Sequence, residues 1–75
     1  MEDEEFLKEC NMDGESLVKD ILYARSSGNS VCILDDETRK RYYWNTIDRS
    51  KKYHVRVTEY FRNYSKHIYY IKEIE

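Results

Sequence analysis

From Lys52 to Tyr60 the chain reads KYHVRVTEY, and its side chains alternate without a break. Tyr53, Val55 and Val57 fall on one face; His54, Arg56 and Thr58 fall on the other. A period of two marks a β-strand with one face in a core and one near water. Such a strand needs neighbouring strands and an apolar cover.

The cover is written in DGESLVKDILYARSSG, Asp13 to Gly28. Asp13 is a good N-cap residue, and Met12 and Leu17 stand at the two positions of a hydrophobic staple. Leu17, Val18, Ile21, Leu22 and Ala24 form an apolar stripe at helical spacing. Arg25 falls in the last turn, and Gly28 is a natural left-handed stop.

The neighbouring strands come from three places. Ser30 to Leu34 (SVCIL) is short, rich in β-formers and bounded by turn residues. Asp35-Asp36-Glu37-Thr38 reads as a hairpin connection, though without the Gly of the tightest turns. Arg39 to Ile47 is then predicted as the returning strand, with Arg41, Tyr43, Asn45 and Ile47 on one side and Lys40, Tyr42, Trp44 and Thr46 on the other. Asp48 to Lys51 is a polar loop, Phe61 to Lys66 a turn, and His67 to Ile74 a last strand by propensity. The series Val57, Tyr60, Tyr64, Ile68, Ile71, Ile74 also recurs at three and four, as a helix would require. Met1 to Asn11 reads as a short acidic helix with Phe6, Leu7 and Cys10 on one face and carboxylates at its positive end.

The predicted fold is α+β: an N-terminal helical region packed on one face of a small three- or four-stranded, mostly antiparallel sheet. Residues 1–75 form one domain, with an acidic helical part (1–28) and a basic-aromatic β part (29–75). Leu17, Ile21 and Leu22 are expected to meet Val31, Ile33, Val55 and Val57 in one thin core. With 75 residues, that core yields roughly 3–5 kcal/mol of net stability, so a staple is expected. Cys10 and Cys32 sit in no paired spacing, the acidic start carries no apolar run, and no stretch approaches the ~20 apolar residues that cross a bilayer. Those features fit the reducing cytoplasm, where a disulfide is improbable and the thiols stay free and buried. Pairing of sheet edges in a homodimer is the staple left.

The net charge of −2 conceals a division. Residues 1–37 carry eleven acidic and three basic side chains, a balance of −8, whereas residues 38–71 carry two acidic and nine basic, a balance of +7. Either each half has its own partner or the halves contact each other.

Catalytic and metal chemistry find little support. Two glycines leave no room for a Walker A loop or a GxGxxG turn. Cys10, Cys32, His54 and His67 are separated by 22, 22 and 13 residues, unlike compact zinc-ligand pairs. Neither enzyme activity nor a cofactor is expected.

The stretch Arg39–Tyr70 holds nine of the eleven aromatic residues and nine of the thirteen Lys and Arg. Tyr, Trp and Arg are the residues that dominate interface hot spots. The expected binding set is Arg39, Lys40, Arg41, Tyr42, Trp44, Lys52, His54, Arg56 and Tyr70. The composition points to a non-enzymatic protein-binding module, an adaptor or inhibitor of a larger protein, self-association included. Its general character is that of a small phage or viral regulator, with no family motif behind it. The alternative is nucleic-acid binding by a basic, aromatic sheet face, with rings stacking on bases. A sequence pI near 5.7 counts against that reading. No membrane partner is expected.

Overall fold

The computed structural model describes residues 5–60 and 66–74. Its elements run β1 (Glu5–Asp13), α1 (Gly14–Ser26), β2 (Ser30–Asp35), a 3₁₀ turn (Trp44–Thr46), β3 (Lys52–Tyr60) and β4 (Lys66–Ile74). The strands form one sheet in the order β1-β3-β4-β2. β3 pairs antiparallel with both β1 and β4, and β2 pairs parallel with β4. One helix packs on this four-stranded mixed sheet, which is the α+β arrangement expected. β1 and β2 thus run parallel at the two edges, and the β3–β4 pair fills the gap between them.

The alternation of β3 has the predicted consequence. Tyr53, Val55 and Val57 are buried under α1 with Tyr69 and Ile71 of β4 and Ile33 of β2. α1 contributes Leu17, Val18, Ile21 and Ala24. Leu22, expected in the core, is exposed. At 3.6 residues per turn it stands about 100° from the centre of the buried arc, on the rim of the helix. Val31 is only partly buried and packs against the core's margin.

Both ends of α1 follow the sequence. The Asp13 carboxylate accepts a hydrogen bond of 2.7 Å from the Ser16 amide, and that bond holds its carboxyl below the usual range. At the other end, Gly28 has φ +85°. Its amide donates to Arg25 O and the Asn29 amide donates to Ala24 O, the paired bonds of a Schellman stop. Gly14 is demanded by packing: its amide donates 2.7 Å to Lys51 O, and a Cβ there would collide with Asp48 O.

Two predicted elements are corrected. Residues 5–13 form a strand and not a helix, because a helix that short is marginal alone. As β1 they pair along their whole length with β3, Glu5 opposite Tyr60 through Asp13 opposite Lys52. The acidic helical part therefore reduces to α1. The returning strand Arg39–Ile47 is also absent. The Asp35 carboxylate accepts the Glu37 and Thr38 amides and closes the turn, with Arg39 taking the left-handed backbone (φ +63°) a Gly would usually supply. The chain then pairs with β2 through the bridge Leu34–Arg41. After Tyr42 it swings into the 3₁₀ turn, which lets Ile47 enter the core beside α1. The helical alternative for the C-terminal segment is excluded by the full β3–β4 ladder. The expected turn at 61–65 lies outside the described residues. No helix among the described residues is long and apolar enough to cross a membrane.

Candidate functional site

The sheet face opposite α1 gathers Arg56, His54, Tyr70 and Lys72 in adjacent rows, as register requires of residues on one side of paired strands. Acidic residues of the first half reach Arg56, His54 and Lys72. His54 sets one ring nitrogen 3.0 Å from Glu9 Oε1 and the other 2.8 Å from Asn11 Oδ1. Arg56 Nη2 lies 2.7 Å from Asp36 Oδ1, and Lys72 pairs with Glu37. These bonds raise the pKa of both cations above their ordinary values, with Asp36 as the cause for Arg56 and Glu37 for Lys72. The Tyr70 ring carries the Arg39 guanidinium 4.6 Å from its centroid and that of Arg56 at 5.2 Å. Contact between the halves pairs part of the divided charge, Arg49 with Glu15 and Arg56 with Asp36.

A different arrangement lies at the outer edge of β2. Here a groove of about 210 Å³ is lined by Val31, Cys32 and Ile33 of β2 and by Tyr42, Tyr43 and Trp44. Neighbouring strand residues point to opposite faces, so a groove touching all of 31 to 33 runs along the sheet edge. Arg25, from the last turn of α1, and Arg41 flank it. Neither arginine has an acidic side chain within ion-pair distance among the described residues. Tyr43 is 64% exposed, whereas Tyr42 and Trp44 are half-buried against the core. Burial, and then Tyr53 beside it, pushes the Tyr42 hydroxyl above its ordinary pKa and keeps it neutral. The space suits one or two side chains and is smaller than the ~300–1,000 Å³ of small-molecule pockets.

The nine expected binding residues therefore separate. Arg39, His54, Arg56 and Tyr70 meet on the open face, with Lys52 exposed at its end; Arg41, Tyr42 and Trp44 meet at the groove; Lys40 is exposed on the connecting segment. Compared with protein-family models, with curated proteins and with solved structures, the chain matches none. Sequence reading missed three contributors to the groove. Arg25 looked like a helix-end charge, the segment Val31–Ile33 looked like plain core strand, and Tyr43 was assigned to the face of a strand that does not form. Spacing gave no signal for them, because the groove is made by the chain leaving the sheet after Tyr42. Cys10 and Cys32 are free, as expected, but partly exposed and not buried, one on each edge strand.

Proposed function

We propose that this chain is a small non-enzymatic protein-binding module, an adaptor or inhibitor that holds a larger protein through the groove beside β2. The observation that carries the reading is the contrast between its two cationic surfaces. On the open face Arg56, Lys72 and His54 are engaged by the chain's own carboxylates, and Tyr70 is stacked by two guanidiniums. At the groove Arg25 and Arg41 join Trp44, Tyr43, Val31 and Ile33 in the lining. Aromatic rings and arginines around a partly apolar pocket are the composition of an interface hot spot. The pairing of Arg56 and Lys72 and the covered Tyr70 ring count against a base-stacking platform, which needs free ring faces and unspent cations. Arg39 and Lys52 are the cations of that face without a carboxylate within ion-pair distance among the described residues. Free thiols on both edge strands fit action in the cytoplasm.

The test is affinity capture with wild-type, Trp44→Ala and Arg41→Glu baits, each shown folded by circular dichroism. A specific protein partner held by the wild type and lost by both variants is the expected result. A partner held equally by all three baits would remove the groove from the interface. Salt-steep binding to DNA or RNA, weakened by Arg41→Ala and Lys52→Ala, would favour the nucleic-acid alternative. A second copy is a further partner with an observation behind it: among the described residues β1 pairs with β3 alone, and Leu7 on it is 59% exposed. Light scattering on the same sample reads that association directly.

A further inference from the structure

The edge of β2 bears a half-finished hydrogen-bonding ladder. The Asp35 amide donates 2.9 Å to Lys40 O, and Ile33 O accepts 2.8 Å from the Tyr42 amide. Residues 33 and 35 thus turn their main-chain groups outward, while the Asp36 amide turns inward to Ile71 O of β4. Main-chain groups two residues apart in a strand point the same way, so Val31 also points outward. Because the chain leaves the edge after Tyr42, the Ile33 amide and both polar groups of Val31 have no main-chain partner among the described residues. These open groups lie where Val31, Cys32 and Ile33 line the groove.

Resting on the groove reading above, we infer that the partner's contact is an extended acidic segment that adds to the outer edge of β2 as a short strand. Its main chain completes the ladder at Val31 and Ile33, taking the place the chain itself vacates at Tyr43. One apolar side chain of the segment fills the space against Trp44. Acidic residues flanking that anchor meet Arg25 and Arg41, which have no carboxylate within ion-pair distance among the described residues. Strand addition divides the labour in this way, with main-chain bonds supplying affinity and side-chain pockets supplying selectivity. The small volume of the groove fits a single anchor.

The probe is a phage-displayed library of random linear peptides, selected on the folded wild-type protein and counter-selected on Trp44→Ala. Enriched peptides are expected to carry an apolar residue with Asp or Glu close on both sides. A synthetic copy should shift the Trp44 indole resonance and slow hydrogen exchange at the Val31 and Ile33 amides. N-methylating the peptide at alternate residues should weaken it about tenfold in one phase and little in the other, the size of a lost main-chain bond or two. That variant leaves the protein untouched. Val31→Pro removes the outward amide at a position where an edge strand tolerates proline and also the Val31 side chain. Compared with Val31→Ala, which removes the side chain alone, it should cost a similar further factor.

Peptides that shift Trp44 but leave exchange at Val31 and Ile33 unchanged, with no phase in their N-methyl series, would overturn strand addition and keep the groove. Enriched peptides without acidic residues, equally bound by Arg25→Glu and Arg41→Glu, would overturn the acidic partner. Failure to enrich any peptide that needs Trp44 would overturn the strand-addition proposal. Displacement of the Trp44 signal by single-stranded DNA instead would overturn the protein-binding reading as well.

Discussion

Tyr69→Phe offers a test of how helix and sheet are joined. Tyr69 of β4 is 1% exposed, and its hydroxyl donates 2.8 Å to Asp20 Oδ2 on α1. The substitution keeps the ring in the core and deletes that bond. A hydrogen bond to a charged acceptor contributes about 1.5–3 kcal/mol. Asp20 is only half-buried and regains water, so the lower end, about 1.5 kcal/mol, applies.

The same geometry fixes a pH dependence. Burial first, and then the bond to Asp20, push the Tyr69 hydroxyl well above its ordinary pKa. An unfolded tyrosine loses its proton near pH ~10, while the folded one retains it. The stabilisation is therefore complete below about pH 10 and is lost as pH rises toward the folded value, at roughly 1.4 kcal/mol per pH unit. By about pH 11 wild type and Tyr69→Phe should have nearly equal stability. Urea unfolding of both proteins across that range, followed by circular dichroism, reads the gap directly, and titrations common to both cancel. A gap that stays constant with pH, or a variant as stable as wild type near neutrality, would refute the reasoning.

Gly14→Ala should destabilise by about 3 kcal/mol, the upper end for overpacking against fixed backbone, although helix propensity alone predicts a gain of about 1 kcal/mol; the urea midpoint gives the sign. Asp13, Asp35 and Asp48 all have lowered carboxyl pKa values. The causes are the Ser16 amide for Asp13, the Thr38 and Glu37 amides for Asp35, and the Ser50 hydroxyl and amide for Asp48. Their contribution is present above about pH 4 and is lost as pH falls through their folded values. Asp13→Asn should accordingly flatten the acid limb of thermal melts below that pH. Asp36→Asn with Glu37→Gln should release Arg56 and Lys72, and low-salt affinity for single-stranded DNA should rise; unchanged affinity would mean that those pairs do not govern the face.

Elements were legible where one period dominated and local chemistry agreed with it. β3 announced itself by strict alternation, and α1 by its stripe, its Asp13 cap and its Gly28 stop. β1 was misread because Phe6, Leu7 and Cys10 satisfy a helical spacing over a segment too short for periodicity to decide. What made it a strand was the edge of β3, whose partners lie from Lys52 opposite Asp13 to Tyr60 opposite Glu5, roughly forty to fifty-five positions on in sequence. The segment after Thr38 was misread for the opposite reason. Its residues favour strands locally, but Ile47 is claimed by the core, and the chain bends at Trp44 to deliver it. The candidate site inherited both errors. Composition located the basic and aromatic residues, yet only the bend after Tyr42 decides which of them share a surface. Composition also showed the charge division without showing that part of it closes on itself, at Arg49–Glu15 and Arg56–Asp36.

The placement of β1 and β2 at opposite edges has a consequence for how the molecule is assembled. No strand in the first half can pair with another strand of that half, since β3 and β4 must first lie between them. A nascent chain that has emerged only as far as Asp35 holds an amphipathic helix and two stretches of unpaired backbone. Nearly all strand pairing waits for β3 and β4, and sheets dominated by such distant contacts fold in roughly milliseconds to seconds, where local helical designs take microseconds. Until then the apolar face of α1 has no sheet to cover. The chain is thus committed to waiting for β3 and β4 before it can cover its helix, and the interval just before β4 is available is when a chaperone, or a partner supplying a strand, would have most influence on its fate.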